Sequence, residues 1–103
     1  MDKEYVIDKI KELKRLVLPN GQLFLFGSRA KGIANSESDW DLLILLNKEC
    51  LDKSDFERYA YPFVELGWQL GEYFSPKLYG LNEWHKRTMT PFYKNVMTEG
   101  VEL

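Results

Sequence analysis

Two aspartates, Asp39 and Asp41, stand one residue apart at the head of an apolar run, Leu42-Leu43-Ile44-Leu45-Leu46. In a strand that spacing sends both side chains to one face, with Cα atoms roughly 7 Å apart. Carboxylates so placed repel each other, and an apolar flank strengthens the repulsion. A divalent cation such as Mg²⁺ relieves it, because that ion takes hard oxygen ligands and commonly shares one or two carboxylates with substrate phosphates. Trp40, between them, must point the other way, as a core anchor. Upstream, Gly27-Ser28 closes a second apolar run, Gln22-Leu23-Phe24-Leu25-Phe26. Glycine lets the backbone approach a phosphate closely, and free N–H groups opening a helical turn favour an anion. The Ser28 hydroxyl adds a donor. Arg29 and Lys31 are candidate partners for a triphosphate tail, the alternative for each being a solvated loop charge.

The elements that must position these residues follow from periodicity. Val6, Ile10, Leu13 and Val17 recur at helical steps, which predicts a helix over Asp2 to Leu18, stopped by Pro19-Asn20-Gly21. Gln22 to Phe26 reads as a buried strand. Ser28 to Lys31 forms one helical turn ended by Gly32, and Ile33 to Ser38 a polar loop. Asp39 to Leu46 is a strand covered on both faces. Ser54-Asp55-Phe56-Glu57 has the form of a capping box opening a helix to Leu70, with Pro62 kinking or splitting it. Tyr73 to Tyr79 is a third strand, which Pro76 assigns to an edge or a bulge. Asn82 to Arg87 is a helical turn, and Thr90-Pro91 starts a last helical segment that Gly100 closes. This order gives a small α/β (α+β) fold, a three- to four-stranded mixed sheet packed with helices.

At 103 residues the chain has room for one domain, residues 1–103. A net charge of -2 gives no global attraction to nucleic acid, so direct nucleic-acid binding is not expected. The single cysteine, Cys50, excludes an intrachain disulfide and is expected to be a partly buried thiol. No apolar run approaches the ~20 residues of a membrane span, and the N-terminus lacks a signal-peptide core, so the expected location is cytoplasmic. The lone His85 reads as a surface residue. The aromatic share, 15%, exceeds what a small core needs, and any exposed subset of Tyr59, Tyr61, Phe63, Trp68, Tyr73, Phe74 and Tyr79 would mark a protein interface.

The spacing from Gly27-Ser28 across ten residues to Asp39-Trp40-Asp41 resembles the minimal nucleotidyltransferases of the DNA polymerase beta superfamily, over a core from about Phe24 to Leu46. The resemblance implies that Asp39 and Asp41 are catalytic and hold Mg²⁺. It also implies that Gly27, Ser28, Arg29 and Lys31 line the nucleotide site, and that ATP donates AMP to a hydroxyl. Small members often pair with a helical partner of the HEPN type as antitoxin and toxin, and some modify a tyrosine on that partner. The family pattern also has a third carboxylate on the next strand. Here that position falls at Ser75, in a segment without Asp or Glu. Glu72 has the wrong parity unless the strand is bulged at Pro76, Glu65 and Glu83 are remote candidates, and Lys77, on the strand face where that carboxylate is expected, reads first as an edge-strand charge and only second as a phosphate contact. Two readings follow: an AMP transferase, or a nucleotidyltransferase-fold module that neutralises a helical partner without chemistry.

Overall fold

The computed structural model describes residues 2–32 and 38–103. The expected polar loop therefore lies, except for Ser38, outside the described residues. Helix α1, Lys3–Val17, starts where the Asp2 carboxylate accepts from the Glu4 N–H (3.3 Å), and it buries Val6 and Ile10. Strand β1, Gln22–Phe26, leads into a short helix α2, Gly27–Lys31, and strand β2 spans Trp40–Leu46.

The next helix starts earlier than its sequence suggests. Its cap is Asp52, not Ser54, because the Asp55 carboxylate accepts from the Asp52 N–H at 2.7 Å and completes a capping box two residues upstream. Helix α3, Lys53–Asp55, passes through a π-helical turn, Phe56–Ala60, into α4, Tyr61–Leu70. Pro62 splits the run as expected: it offers no N–H to the turn before it, and the wider π register takes up the difference. Strand β3, Phe74–Gly80, is followed by α5, Leu81–His85, by α6, Pro91–Glu99 with Thr90 as its cap, and by a two-residue strand β4, Val101–Glu102. Nothing in the sequence pattern marks β4; its two residues are strand only because β1 offers them an edge. Cys50 is exposed, not partly buried, since it sits where the chain has already left the sheet.

The sheet order is β3-β2-β1-β4. β1 runs antiparallel to both neighbours, whereas β2 and β3 are parallel, so Pro76 does lie on an edge strand. Alternation divides the sheet's side chains into two layers. Leu23, Leu25, Trp40, Leu42, Ile44 and Phe74 pack under α1 and α4 with Val6, Ile10 and Phe63. Phe24, Leu43 and Leu45 face the other way, onto Trp84 of α5 and Val96 of α6. Gly67 lets α4 sit close to the sheet, since a Cβ there would lie 3.1 Å from the Phe74 ring. Burying each large apolar side chain in these layers contributes about 1.5–3 kcal/mol.

Candidate functional site

The register pairs Phe26 with Asp41 across β1 and β2, so the end of one strand meets the start of the next. There the chain turns sharply into α2 through Gly27, whose φ is 74°. That left-handed conformation favours glycine, and a Cβ at this position would collide with the Asp41 Oδ2 atom. The turn therefore lays bare backbone directly against a carboxylate. Asp41 is half-buried and Asp39, two residues back on the same side of the chain, is exposed. Burial raises the Asp41 pKa above the ordinary carboxylate range, and the Asp39 charge raises it further, while Lys77 opposes both. Ser28 follows Gly27 in the first turn of α2, and its hydroxyl has no hydrogen-bond partner among the described residues.

The chemistry of this donor set fits a hard divalent cation. Two carboxylates destabilise each other at one end of the sheet, and a cation between them relieves that strain while leaving its other positions to phosphate oxygens and water. Among the described residues there is no group of three or more His, Cys, Asp and Glu that converges on such an ion.

Gly27, Ser28, Asp39 and Asp41 are thus brought together, but the two basic residues of α2 are engaged elsewhere. The Arg29 guanidinium lies 4.6 Å from the centroid of the Trp40 ring. It donates to the Ser38 carbonyl through Nε (3.3 Å) and Nη2 (3.0 Å), and Nη2 also stands 3.7 Å from Glu72 Oε2. The same Glu72 oxygen accepts from the Trp40 indole at 3.3 Å. This cluster clamps the residue that delivers the chain to Asp39. Lys31 pairs with Glu99 of α6 at 2.9 Å. Sequence reasoning missed the clamp, because Arg29, Trp40 and Glu72 have no characteristic spacing and meet only when β3 docks.

On β3, Ser75 is paired with Asp41 and Lys77 with Leu43, so both share the face of the aspartates. Ser75 thus stands at the position of the third carboxylate in the family pattern, directly across from Asp41. Glu72 is on the opposite face, as its parity demands. Glu65 is exposed on α4, and Glu83 is bonded to Arg87 at 3.0 Å. His85 is exposed on α5.

A comparison with curated proteins gives no match. Among solved structures, a toxin–antitoxin crystal structure with AMP-PNP superposes with a TM-score of 0.62 at 23% identity, covering 99% of this chain and 72% of the other. A variant of the MntA–HpeT toxin–antitoxin complex gives a TM-score of 0.58 at 26% identity, covering 93% and 69%. A second MntA–HpeT variant gives 0.60 at 21%, covering 99% and 72%. The sequence matches the family described as nucleotidyltransferase domain over residues 6–88, which takes in the Gly27-Ser28 turn, both aspartates and β3. Fold, motif and family match agree, and the chain belongs to the nucleotidyltransferase-domain family.

Proposed function

We propose that this domain binds Mg-ATP at the Gly27–Asp41 end of the sheet and transfers AMP to a hydroxyl group on a helical partner protein, as the antitoxin-like member of a toxin–antitoxin pair. The observation that carries the reading is the Gly27 backbone turned against the Asp41 carboxylate, with Asp39 on the same face. Gly27 and Ser28 bind the phosphates, through backbone N–H groups and the Ser28 hydroxyl. Asp39 and Asp41 hold the cation, which supplies Lewis-acid neutralisation of the phosphates when bound. The acceptor oxygen bonds to the α-phosphorus, the bond to the β-phosphate oxygen breaks, pyrophosphate leaves, and the hydroxyl proton passes to water. Positioning and charge neutralisation supply most of the acceleration in phosphoryl and nucleotidyl transfer. The similar solved structures, toxin–antitoxin proteins of which one contains AMP-PNP, support both the nucleotide and the partner.

Ser75 opposite Asp41 favours a second reading, in which the fold and nucleotide site serve a module that neutralises its partner by contact alone. One experiment separates the two. The partner, taken as a helical protein encoded beside this chain, is incubated with the domain and Mg-ATP and then weighed by mass spectrometry. A gain of one AMP supports transfer. No gain under any divalent metal, with neutralisation intact in an Asp39→Asn/Asp41→Asn double variant, overturns it in favour of the binding module.

A further inference from the structure

The cations near the aspartates are not equivalent. Arg29 is committed to Ser38, Trp40 and Glu72, and Lys31 to Glu99. Lys77 is exposed on β3, shares the Asp41 face through the Asp41–Ser75 and Leu43–Lys77 register, and makes no ion pair among the described residues. On β3, at the positions that share the Asp41 face, the chain offers a neutral hydroxyl followed by a positive charge.

We propose that Lys77 is the phosphate-neutralising cation of this site and stands in for a second metal, so that the domain takes up a single divalent cation together with its nucleotide. Two carboxylates and one ammonium carry a net negative charge, and one divalent cation turns it positive, which suits a triphosphate. A second cation would be repelled by the ammonium, and among the described residues no third carboxylate joins the two aspartates to offset that repulsion. Lys77 donates to phosphate as a point charge on a flexible stem, which suits a mobile edge contact better than a fixed fork. Ser75 supplies no anionic ligand, consistent with a single-cation site.

This inference rests on the nucleotide-binding reading, and its test separates the two. Free Mn²⁺ is followed by electron paramagnetic resonance as it is titrated into the domain with an equimolar non-hydrolysable ATP analogue, and analogue affinity is measured by calorimetry. The wild-type chain is expected to take up one Mn²⁺. Lys77→Ala is expected to bind the analogue about tenfold more weakly, the scale of a lost charge-assisted contact, and Lys77→Arg to restore it. The double variant Ser75→Asp/Lys77→Ala is expected to take up a second Mn²⁺. Two Mn²⁺ per wild-type chain, or unchanged analogue affinity in Lys77→Ala, overturns the Lys77 assignment and leaves the nucleotide site standing. No Mn²⁺-dependent binding of the analogue to wild type overturns both.

Discussion

Burial and the neighbouring Asp39 charge hold the Asp41 carboxyl above the ordinary range, with Lys77 opposing, so the ionised form is the one the fold disfavours. A carboxyl whose folded pKa is raised costs stability only where it is ionised. The penalty is absent below the unfolded pKa of about 3.9, grows as pH rises through the folded value, and persists above it. Asp41→Asn is therefore expected to raise the melting temperature of the metal-free protein at neutral pH, to leave it unchanged near pH ~3, and to abolish cation-dependent nucleotide binding. Thermal melts at the two pH values with calorimetry check all three. Arg29→Ala tests the clamp. If the guanidinium held phosphate, its loss would weaken binding and spare the fold. Here it stacks on Trp40 and bonds the Ser38 carbonyl, so the expected loss is about 1–3 kcal/mol of stability by urea denaturation. Asp39 and Asp41 were legible in the sequence because a one-residue gap in a strand fixes a common face. The contacts of Arg29 with Ser38, Trp40 and Glu72 were not legible, because proximity in sequence to Gly27-Ser28 says nothing about which layer its side chain enters.

At the scale of elements, an apolar stripe carried α1, continuous apolar runs carried β1 and β2, and the Thr90-Pro91 start with the Gly100 stop carried α6. The split before Pro62 was also legible, because a missing N–H must be accommodated somewhere nearby. The start of α3 was not. Ser54 looked like the cap, yet Asp55 is 2% exposed and its carboxylate accepts from both the Asp52 N–H and Lys48 (3.0 Å), which pulls the cap back to Asp52. The Asp52 N–H first and Lys48 second hold the Asp55 pKa below the ordinary range. A depressed folded pKa contributes stability that is complete above the unfolded pKa and is lost as pH falls through the folded one. Asp55→Asn is thus expected to destabilise the protein at neutral pH, with the difference from wild type closing in acid. Urea titrations at about pH 7 and about pH 3 bracket the unfolded carboxyl pKa and would expose any residual gap. A gap of equal size at both would place the contribution in packing and not in charge.

At the scale of the whole molecule, the sheet separates two surfaces. The aspartates, Ser75 and Lys77 share the side covered by α5 and α6, whereas α4 lies on the Trp40 side. On α4, Trp68 is 61% exposed and stacks edge-on against the exposed Tyr61 at 6.0 Å; Tyr73 is 69% exposed at the entry to β3. These rings are the exposed subset of the aromatic surplus, the part that the core did not absorb. Phe63, one helical turn from Gly67, is fully buried in the same helix, and its truncation should cost about 3–5 kcal/mol. Trp68→Ser removes a ring that the fold barely uses, so the change in stability should stay near 0.5 kcal/mol or below, the usual range for surface sites. Nucleotide affinity should not move, because the sheet stands between Trp68 and Asp41. Binding of the proposed partner should weaken by roughly tenfold or more if the aromatic patch serves as its contact, the scale at which exposed tryptophans act in interfaces. Calorimetry with nucleotide and partner in parallel reads both quantities on one variant. Equal losses in both would mean that the two faces are coupled through the sheet, and an unchanged partner affinity would remove α4 from the interface while leaving the site at Gly27–Asp41 untouched.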